Sequence, residues 1–271
     1  MTSDLSIAFI GGGNMAAALV SGLAGKLCPI ENIHVIEVND ELRASWTARG
    51  ASTASEPDDT LSRCKVWVYA VKPQVMKAVA ISTQPWLQDS LVISIAAGIR
   101  SSDLARWLNT ERIVRCMPNT PSLIGAGVSG LAAMPAVDAA SRELAGDILA
   151  SVGQVVWVQK EDQLDGVTAL SGSGPAYVFL LLEALIEGGL AVGLDAEQSR
   201  TLALATVAGA TQLATQSSES PAILRDRVTS KGGTTAAALA VMAEGGLKET
   251  VVRAMRAAAD RAHEMGDEFG N

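Results

Sequence analysis

The chain is predicted to be an α/β protein, with a doubly wound parallel sheet in its N-terminal part and an all-α domain after it. Three observations predict this. Short apolar runs alternate with helical stretches from residue 5 to residue 158, the pattern of a parallel sheet covered by helices on both faces. Beyond Lys160 the strand signal stops, and Ala, Leu, Glu and Gly recur at helical spacing to the C-terminus. At the very start, the apolar run 5–10 flows into Gly11-Gly12-Gly13-Asn14-Met15-Ala16 and then an alanine-rich helical stretch, which reads as strand, glycine turn and helix start. A chain of 271 residues, 48% of them hydrophobic, accommodates two domains, expected at 1–160 and 161–271.

Strands are predicted at 33–38, 66–71, 91–96, 112–116, 128–132 and 155–158 in addition to the first. Residues 66–71 and 91–95 are almost continuously apolar, as strands buried on both faces are. In the second domain helices are expected at 174–192, 196–216, 221–227, 234–244 and 247–268, with Pro221 in a first turn and Gly193 and Gly245-Gly246 at helix ends. Residues 176–192 carry Glu183 and Glu187 and read as a buried helix that falls short of a membrane span. A stretch as apolar as 176–182 needs more than one neighbour, which in so small a domain points to a partner subunit.

The net charge of −8 and the absence of a dense Lys/Arg cluster argue against nucleic acid as a partner. Cys28, Cys64 and Cys116 are odd in number, widely spaced and without nearby histidines, which fits reduced thiols rather than disulfides or zinc. Met1-Thr2-Ser3-Asp4 lacks the basic region of a secretory leader, so a cytoplasmic protein without membrane attachment is expected.

In a doubly wound sheet, ligands bind beyond the carboxyl ends of the strands, so the loops there are the candidate site. After the first strand, Ile10, Gly11, Gly12, Gly13, Asn14 and Met15 form a dinucleotide turn. Gly11 makes the tight bend, Gly13 lets a pyrophosphate approach the backbone, Ala16 keeps helix and strand close, and free N–H groups favour the anion. After the second strand, Glu37 either hydrogen-bonds a ribose 2′-hydroxyl and repels a 2′-phosphate, or is simply a solvated carboxylate. After the third come Ala70, Val71, Lys72 and Pro73, where the lysine either faces cofactor phosphates or faces water. After the fourth, Ile95, Ala96 and Ala97 precede Gly98, small residues that leave room for a flat ring or for close helix packing. Asn119, in a two-proline loop after the fifth, is a further candidate for binding the cofactor. In the helical domain, Ser171-Gly172-Ser173-Gly174-Pro175 and Ser230-Lys231-Gly232-Gly233-Thr234-Thr235 each read as a loop opening a helix. The second, stripped of blocking side chains by Gly232-Gly233, is the better cradle for a small carboxylate. Neither histidine, His34 nor His263, falls in these loops, so a histidine general acid is not expected.

Taken together, Phe9-Ile10-Gly11-x-Gly13-Asn14-Met15, Ala70-Val71-Lys72-Pro73, Ser94-Ile95-Ala96-Ala97-Gly98, Arg115-Cys116-Met117-Pro118-Asn119-Thr120-Pro121, Ser171-Gly172-Ser173-Gly174-Pro175-Ala176-Tyr177 and Gly232-Gly233-Thr234-Thr235 resemble the motifs of the pyrroline-5-carboxylate reductases, in order and spacing over essentially the whole chain. The resemblance implies a Rossmann-like N-terminal domain, an all-α dimerisation domain, an active site where the two meet, and dimers that assemble further into a decamer. It also implies hydride transfer from NADPH or NADH to C5 of 1-pyrroline-5-carboxylate, giving L-proline, a reaction whose protonated imine brings its own proton. By the same resemblance, residues 10–15, 70–73 and 95–97 face the cofactor. Ser230, Gly233, Thr234 and Thr235 hold the substrate, with the Thr235 hydroxyl at the ring nitrogen, and Glu161 is a further substrate contact. Two positions depart from the family pattern. Lys231 stands where proline is more usual. Glu37 stands where many members carry a small polar residue that accepts a 2′-phosphate, which tilts the cofactor toward NADH. The nearest enzymatic alternative, a β-hydroxyacid dehydrogenase, needs a lysine on the helix after Ser171-Gly172-Ser173-Gly174, and none is there. The alternative of another class is a nucleotide-binding regulatory protein that has lost catalysis.

Overall fold

The structure, a computed structural model, describes residues 5–270; Met1 to Asp4, read above as lacking a leader, lie outside them. One compact unit runs through Ser173 and includes the residues from Ala257 onward, and the other is Gly174–Arg256.

The first unit is built on an eight-stranded sheet in the order β3-β2-β1-β4-β5-β6-β7-β8. The strands are β1 (Ile7–Ile10), β2 (Ile33–Ile36), β3 (Ser52–Ala54), β4 (Val66–Tyr69), β5 (Leu91–Ser94), β6 (Ile113–Met117), β7 (Gly127–Ala133) and β8 (Gly153–Trp157). Every residue of β1, β2, β4 and β5 is buried, because both faces are covered. Alternation along β1 divides them: Ile7 and Phe9 join one core with Leu19, Val35, Trp46 and Val68, while Ala8 and Ile10 join the other with Trp67, Tyr69, Met76 and Leu104. Helices α1 (Asn14–Leu23), α2 (Asp40–Ala48), α3 (Pro73–Thr83), α4 (Ser101–Leu108) and α5 (Ala139–Ala150) alternate with the strands. Cys28, Cys64 and Cys116 are buried and unpaired, and burial pushes the Cys28 and Cys64 thiols up to about 11.

Three features differ from expectation. The sheet is not wholly parallel: β7 runs antiparallel to β6, with β8 parallel to β7. Only residues 118–126 separate β6 from β7, too few for the usual crossover of a dozen or more, so the chain doubles back. Strand β3 has no apolar run to announce it; Ser52, Thr53 and Ala54 make a short edge that pairs with β2 alone. And residues 161–173 stay with the sheet rather than beginning a helical domain at 161. Leu164 in α6 (Gln163–Val167) is fully buried, and Val167 fills the space that a side chain on Gly130 of β7 would need. Nor is Ser171-Gly172-Ser173-Gly174-Pro175 an open loop: after α6, Thr168–Gly172 is a turn of π-helix closed by the Ser173 N–H donating to Thr168 O at 2.8 Å, and α7 begins at Gly174.

The second unit contains α7 (Gly174–Ala191), α8 (Ala196–Gln216), α9 (Pro221–Arg227), α10 (Thr234–Glu244) and the start of α11 (Leu247–Phe269), at the predicted places to within a residue. Helices α7 and α8 approach closely at Gly189, where a Cβ would come within 2.6 Å of Ser199 Oγ. No residue of α7 is buried, and Phe179 and Leu180 are 60% and 66% exposed, so the chain itself supplies little of the cover that such a helix needs. The statement that this segment falls short of a membrane span is corrected. Among the described residues, the helical stretch Gln163–Ala191 is long and apolar enough by length and composition alone, because it starts well before Ala176.

Candidate active site

The strand order reverses between β1 and β4, and the crevice of a doubly wound sheet opens beyond the carboxyl ends of the strands at such a point. The loops that flank it are the glycine turn after β1 and Ala70-Val71-Lys72-Pro73 after β4. They touch: a Cβ on Gly11 would stand 2.7 Å from Ala70 O, and Gly11 has φ +98°, so only glycine fits both the bend and the contact. Gly12 is boxed in as well, with Trp46 Nε1 only 2.5 Å from where its Cβ would lie. Gly13 is different. Its ideal Cβ meets nothing within 4 Å, so a side chain is excluded there by no part of the protein itself.

Gly13 is also the N-cap of α1 and offers no side-chain acceptor to the helix. Helices α2, α5, α8 and α9 each carry a capping side chain, from Asn39, Asp138, Asp195 and Ser220. Helices α1, α3, α4, α6 and α10 do not, and of these α1, α3 and α10 begin at the glycine turn, at Lys72-Pro73 and at Gly232-Gly233, three of the loops singled out from sequence. The first-turn N–H groups of α1 and α10 therefore have no acceptor on their own caps, which suits an anionic ligand.

Glu37 lies just beyond β2, half-buried. Its Oε2 accepts the Gly12 N–H at 2.8 Å and its Oε1 accepts the Asn39 N–H at 2.8 Å. Arg43 Nη1 donates to the Glu37 carbonyl at 2.8 Å. The carboxylate is thus fixed beside the glycine turn. Lys72, the N-cap residue of α3, is exposed in an extended conformation. Beyond β5, Ile95 and Ala97 are half-exposed and Ala96 is buried. Gly98 serves close packing: at φ +71°, its Cβ would lie 2.8 Å from Met265 Cβ of α11.

Asn119 faces inward. Its Nδ2 donates to Ser171 O at 3.1 Å and its Oδ1 accepts the Val128 N–H at 2.9 Å, tying the two-proline loop to β7 and to the π-helical turn. Glu161 is likewise engaged within the protein, its Oε1 accepting the Ser101 N–H at 2.7 Å and facing Arg115 Nη1 at 3.1 Å. With Arg100, Asp165 and His263 it lines a cavity of about 160 Å³, where His263 Nδ1 lies 3.4 Å from Asp165 Oδ2.

In the second unit, Gly233 caps α10 and Gly232 takes φ +71°. A side chain on Gly233 would collide with Ser230 Oγ, and the Gly233 N–H donates to Ser230 O at 3.1 Å, so the loop is tight as well as bare. Ser230 and Thr234 are exposed and Thr235 is half-buried. The structure brings the loops that follow β1, β2, β4 and β5 together at the carboxyl ends of the strands, and gathers Ser230, Gly233, Thr234 and Thr235 at the start of α10.

Two residues were not singled out as site candidates in the sequence. Trp46 donates its indole N–H to the Gly12 carbonyl from deep in α2, with no local signal to mark it. Arg115, 6% exposed in the middle of β6, had a signal: a charge inside an apolar strand requires a partner, here Glu161 and Asp165.

A sheet of this order with a bare glycine turn at its switch point defines a dinucleotide-dependent oxidoreductase, and residues 6–98 match a family model described as NADP oxidoreductase coenzyme F420-dependent. Residues 161–265 match the model for pyrroline-5-carboxylate reductase dimerisation. The chain is 44% identical over 267 residues to a pyrroline-5-carboxylate reductase of Pseudomonas aeruginosa, covering 97% of this chain and 98% of that one. Its fold superposes on a reductase of the same kind from Coxiella burnetii with a TM-score of 0.91 at 39% identity, covering 97% of this chain and 98% of that one. With the Plasmodium falciparum protein, solved with NADP bound, the TM-score is 0.87 at 31% identity, over 98% and 100%. The chain belongs to the pyrroline-5-carboxylate reductase family.

Proposed function

We propose that this chain reduces 1-pyrroline-5-carboxylate to L-proline with NADH or NADPH, the last step of proline synthesis. The observation that carries it is the full-length match to pyrroline-5-carboxylate reductases, joined to a glycine turn whose Gly13 faces open space.

Residues Ile10, Gly11, Gly12, Gly13, Asn14 and Met15 would form the pyrophosphate turn, with the backbone N–H groups beyond Gly12 left to the anion because those of Gly11 and Gly12 are held by Ile36 O and Glu37, and Glu37 would also hold the adenosine ribose. Ala70, Val71, Lys72, Pro73, Ile95, Ala96 and Ala97 would wall the cleft, with Asn119 keeping the neighbouring loop in place. The residues present fit such a group, since Gly13 leaves room beside the α1 N-terminus and no capping side chain competes for its N–H groups. When bound, reduced nicotinamide supplies the hydride that reaches C5 of the imine. Ser230, Gly233 and Thr234 would hold the substrate carboxylate at the α10 N-terminus, and the Thr235 hydroxyl would orient the ring nitrogen. That nitrogen is protonated in the substrate and keeps its proton as the amine forms, so the protein need only orient it, and no acid has to be placed nearby.

The exposed apolar surface of α7, in the region that matches a dimerisation model, supports a homodimer formed through the helical domain; a decamer and a cytoplasmic setting complete the proposal. The direct test mixes purified protein, reduced nicotinamide and 1-pyrroline-5-carboxylate, and follows cofactor oxidation together with proline. Proline accumulation that requires the protein is expected; none above a protein-free control would overturn the assignment.

A further inference from the structure

The loop between β5 and α4, residues 95–100, is held from two sides by residues outside the strand-end loops. On one side Glu161 supplies α4 with the cap that its own N-cap residue, Arg100, does not: Oε1 accepts the Ser101 N–H at 2.7 Å across 60 residues of sequence. Arg115, buried in β6, faces the same oxygen at 3.1 Å and so anchors the carboxylate to the sheet. On the other side lies the end of α11. Gly98 is seated against Met265, Phe269 packs on the core that contains Ile99 and Leu104, and Arg100 Nη2 meets Asp267 Oδ1 at 2.6 Å. All of these residues belong to the sheet unit.

We infer that Glu161 and Asp267 are positioning residues for cofactor binding: they fix the main chain of residues 95–98 in the form that receives the nicotinamide half of the dinucleotide. The inference rests on the proposal above that Ile95 to Ala97 wall the cofactor cleft. A loop already ordered before binding forfeits less entropy when the ligand arrives, so loosening its anchors weakens affinity without removing any contact to the ligand. It also gives Glu161 a role other than touching the substrate, which its engagement with two internal donors favours.

The test is NADH titration by fluorescence in the absence of substrate, on Glu161→Ala, Glu161→Gln, Asp267→Ala and Ala97→Leu, with melting temperatures alongside. Glu161→Ala and Asp267→Ala are each expected to raise the Kd for NADH by about threefold or more. Glu161→Gln, which keeps an oxygen acceptor for the Ser101 N–H, should recover most of the loss; a role in stability alone would not produce that rescue in Kd. If Ala97→Leu weakens binding while Glu161→Ala and Asp267→Ala bind as the unaltered protein does, the positioning role is overturned and the cleft assignment stands. If Ala97→Leu leaves binding unchanged, the cleft assignment falls and the inference with it. Should Glu161→Ala not fold, Asp267→Ala decides, because Asp267 is 64% exposed and its loss leaves the core intact.

Discussion

Trp46 donates its indole N–H to the carbonyl of Gly12 at 2.9 Å, while the N–H of the same glycine is taken by Glu37. The two peptide units that flank Gly12 in the glycine turn are therefore clamped by two side chains, one from just beyond β2 and one from α2. Trp46 is 2% exposed, so Trp46→Phe would leave the Gly12 carbonyl buried without its donor, at a cost of about 1–3 kcal/mol. The expected result is a lower urea midpoint together with weaker NADH binding; an unchanged NADH affinity would show that the clamp has no part in ligand binding.

The glycines of the turn separate fold from binding. Gly11→Ala places a methyl against Ala70 O at a φ of +98°, a strain of about 1–3 kcal/mol that thermal unfolding will register. Gly13→Ala meets nothing within 4 Å and has an ordinary φ of −74°, so its stability should stay within about 0.5 kcal/mol of the parent. Yet its cofactor Kd should rise about tenfold, roughly 1.4 kcal/mol, because the methyl occupies the approach to the pyrophosphate. A Gly13→Ala protein that binds cofactor normally would remove this turn from the site.

Glu37 predicts cofactor preference. Its carboxylate repels a 2′-phosphate, so NADH should support turnover at least as well as NADPH. In Glu37→Ser, the N–H groups of Gly12 and Asn39 lose their carboxylate partner beside the Arg43 guanidinium, which is the environment a phosphate favours. The ratio of kcat/KM for NADPH over NADH should therefore rise in the variant, and a parent enzyme with a strong NADPH preference would refute the assignment.

Thr235→Ala should fold normally, since α10 draws no side-chain cap from its N-cap residue, yet lower kcat/KM for the imine by about ten- to a hundredfold, the equivalent of one lost hydrogen bond of roughly 1.4–3 kcal/mol. Thr235→Ser should restore most of it. Unchanged kinetics in the alanine variant would clear the hydroxyl of a direct role.

His34, on β2, couples stability to pH. Burial lowers its pKa below 6.5, with Asp58 pulling the other way. The unfolded chain thus binds more protons between the folded value and 6.5, and stability falls as pH drops through that window and is fully present above it. The melting temperature should decline from pH 7 toward pH 5, and less steeply in His34→Gln; equal slopes would discount the histidine.

Much of this was legible in the chain itself, and the exceptions have physical reasons. Helices α8, α9 and α10 announced themselves because Gly193 before the first, Pro221 in the second and Gly232-Gly233 before the third are local signals acting within one turn. The direction of β7 did not, since an apolar run reads the same whichever way it is threaded; only the shortness of the connection after β6 betrayed it. The strand-end loops could be located as site candidates from position alone. Their internal wiring, Trp46 to Gly12 and Glu161 to Ser101, joins residues 34 and 60 positions apart and leaves no periodic trace.

The bare surface of α7 has a bearing on how the protein behaves at the bench. An apolar helix that its own chain leaves uncovered finds shelter only by mass action, so dilution should lower the temperature at which the protein unfolds. For such a molecule a melting point carries meaning only when the amount of protein in the tube is stated beside it.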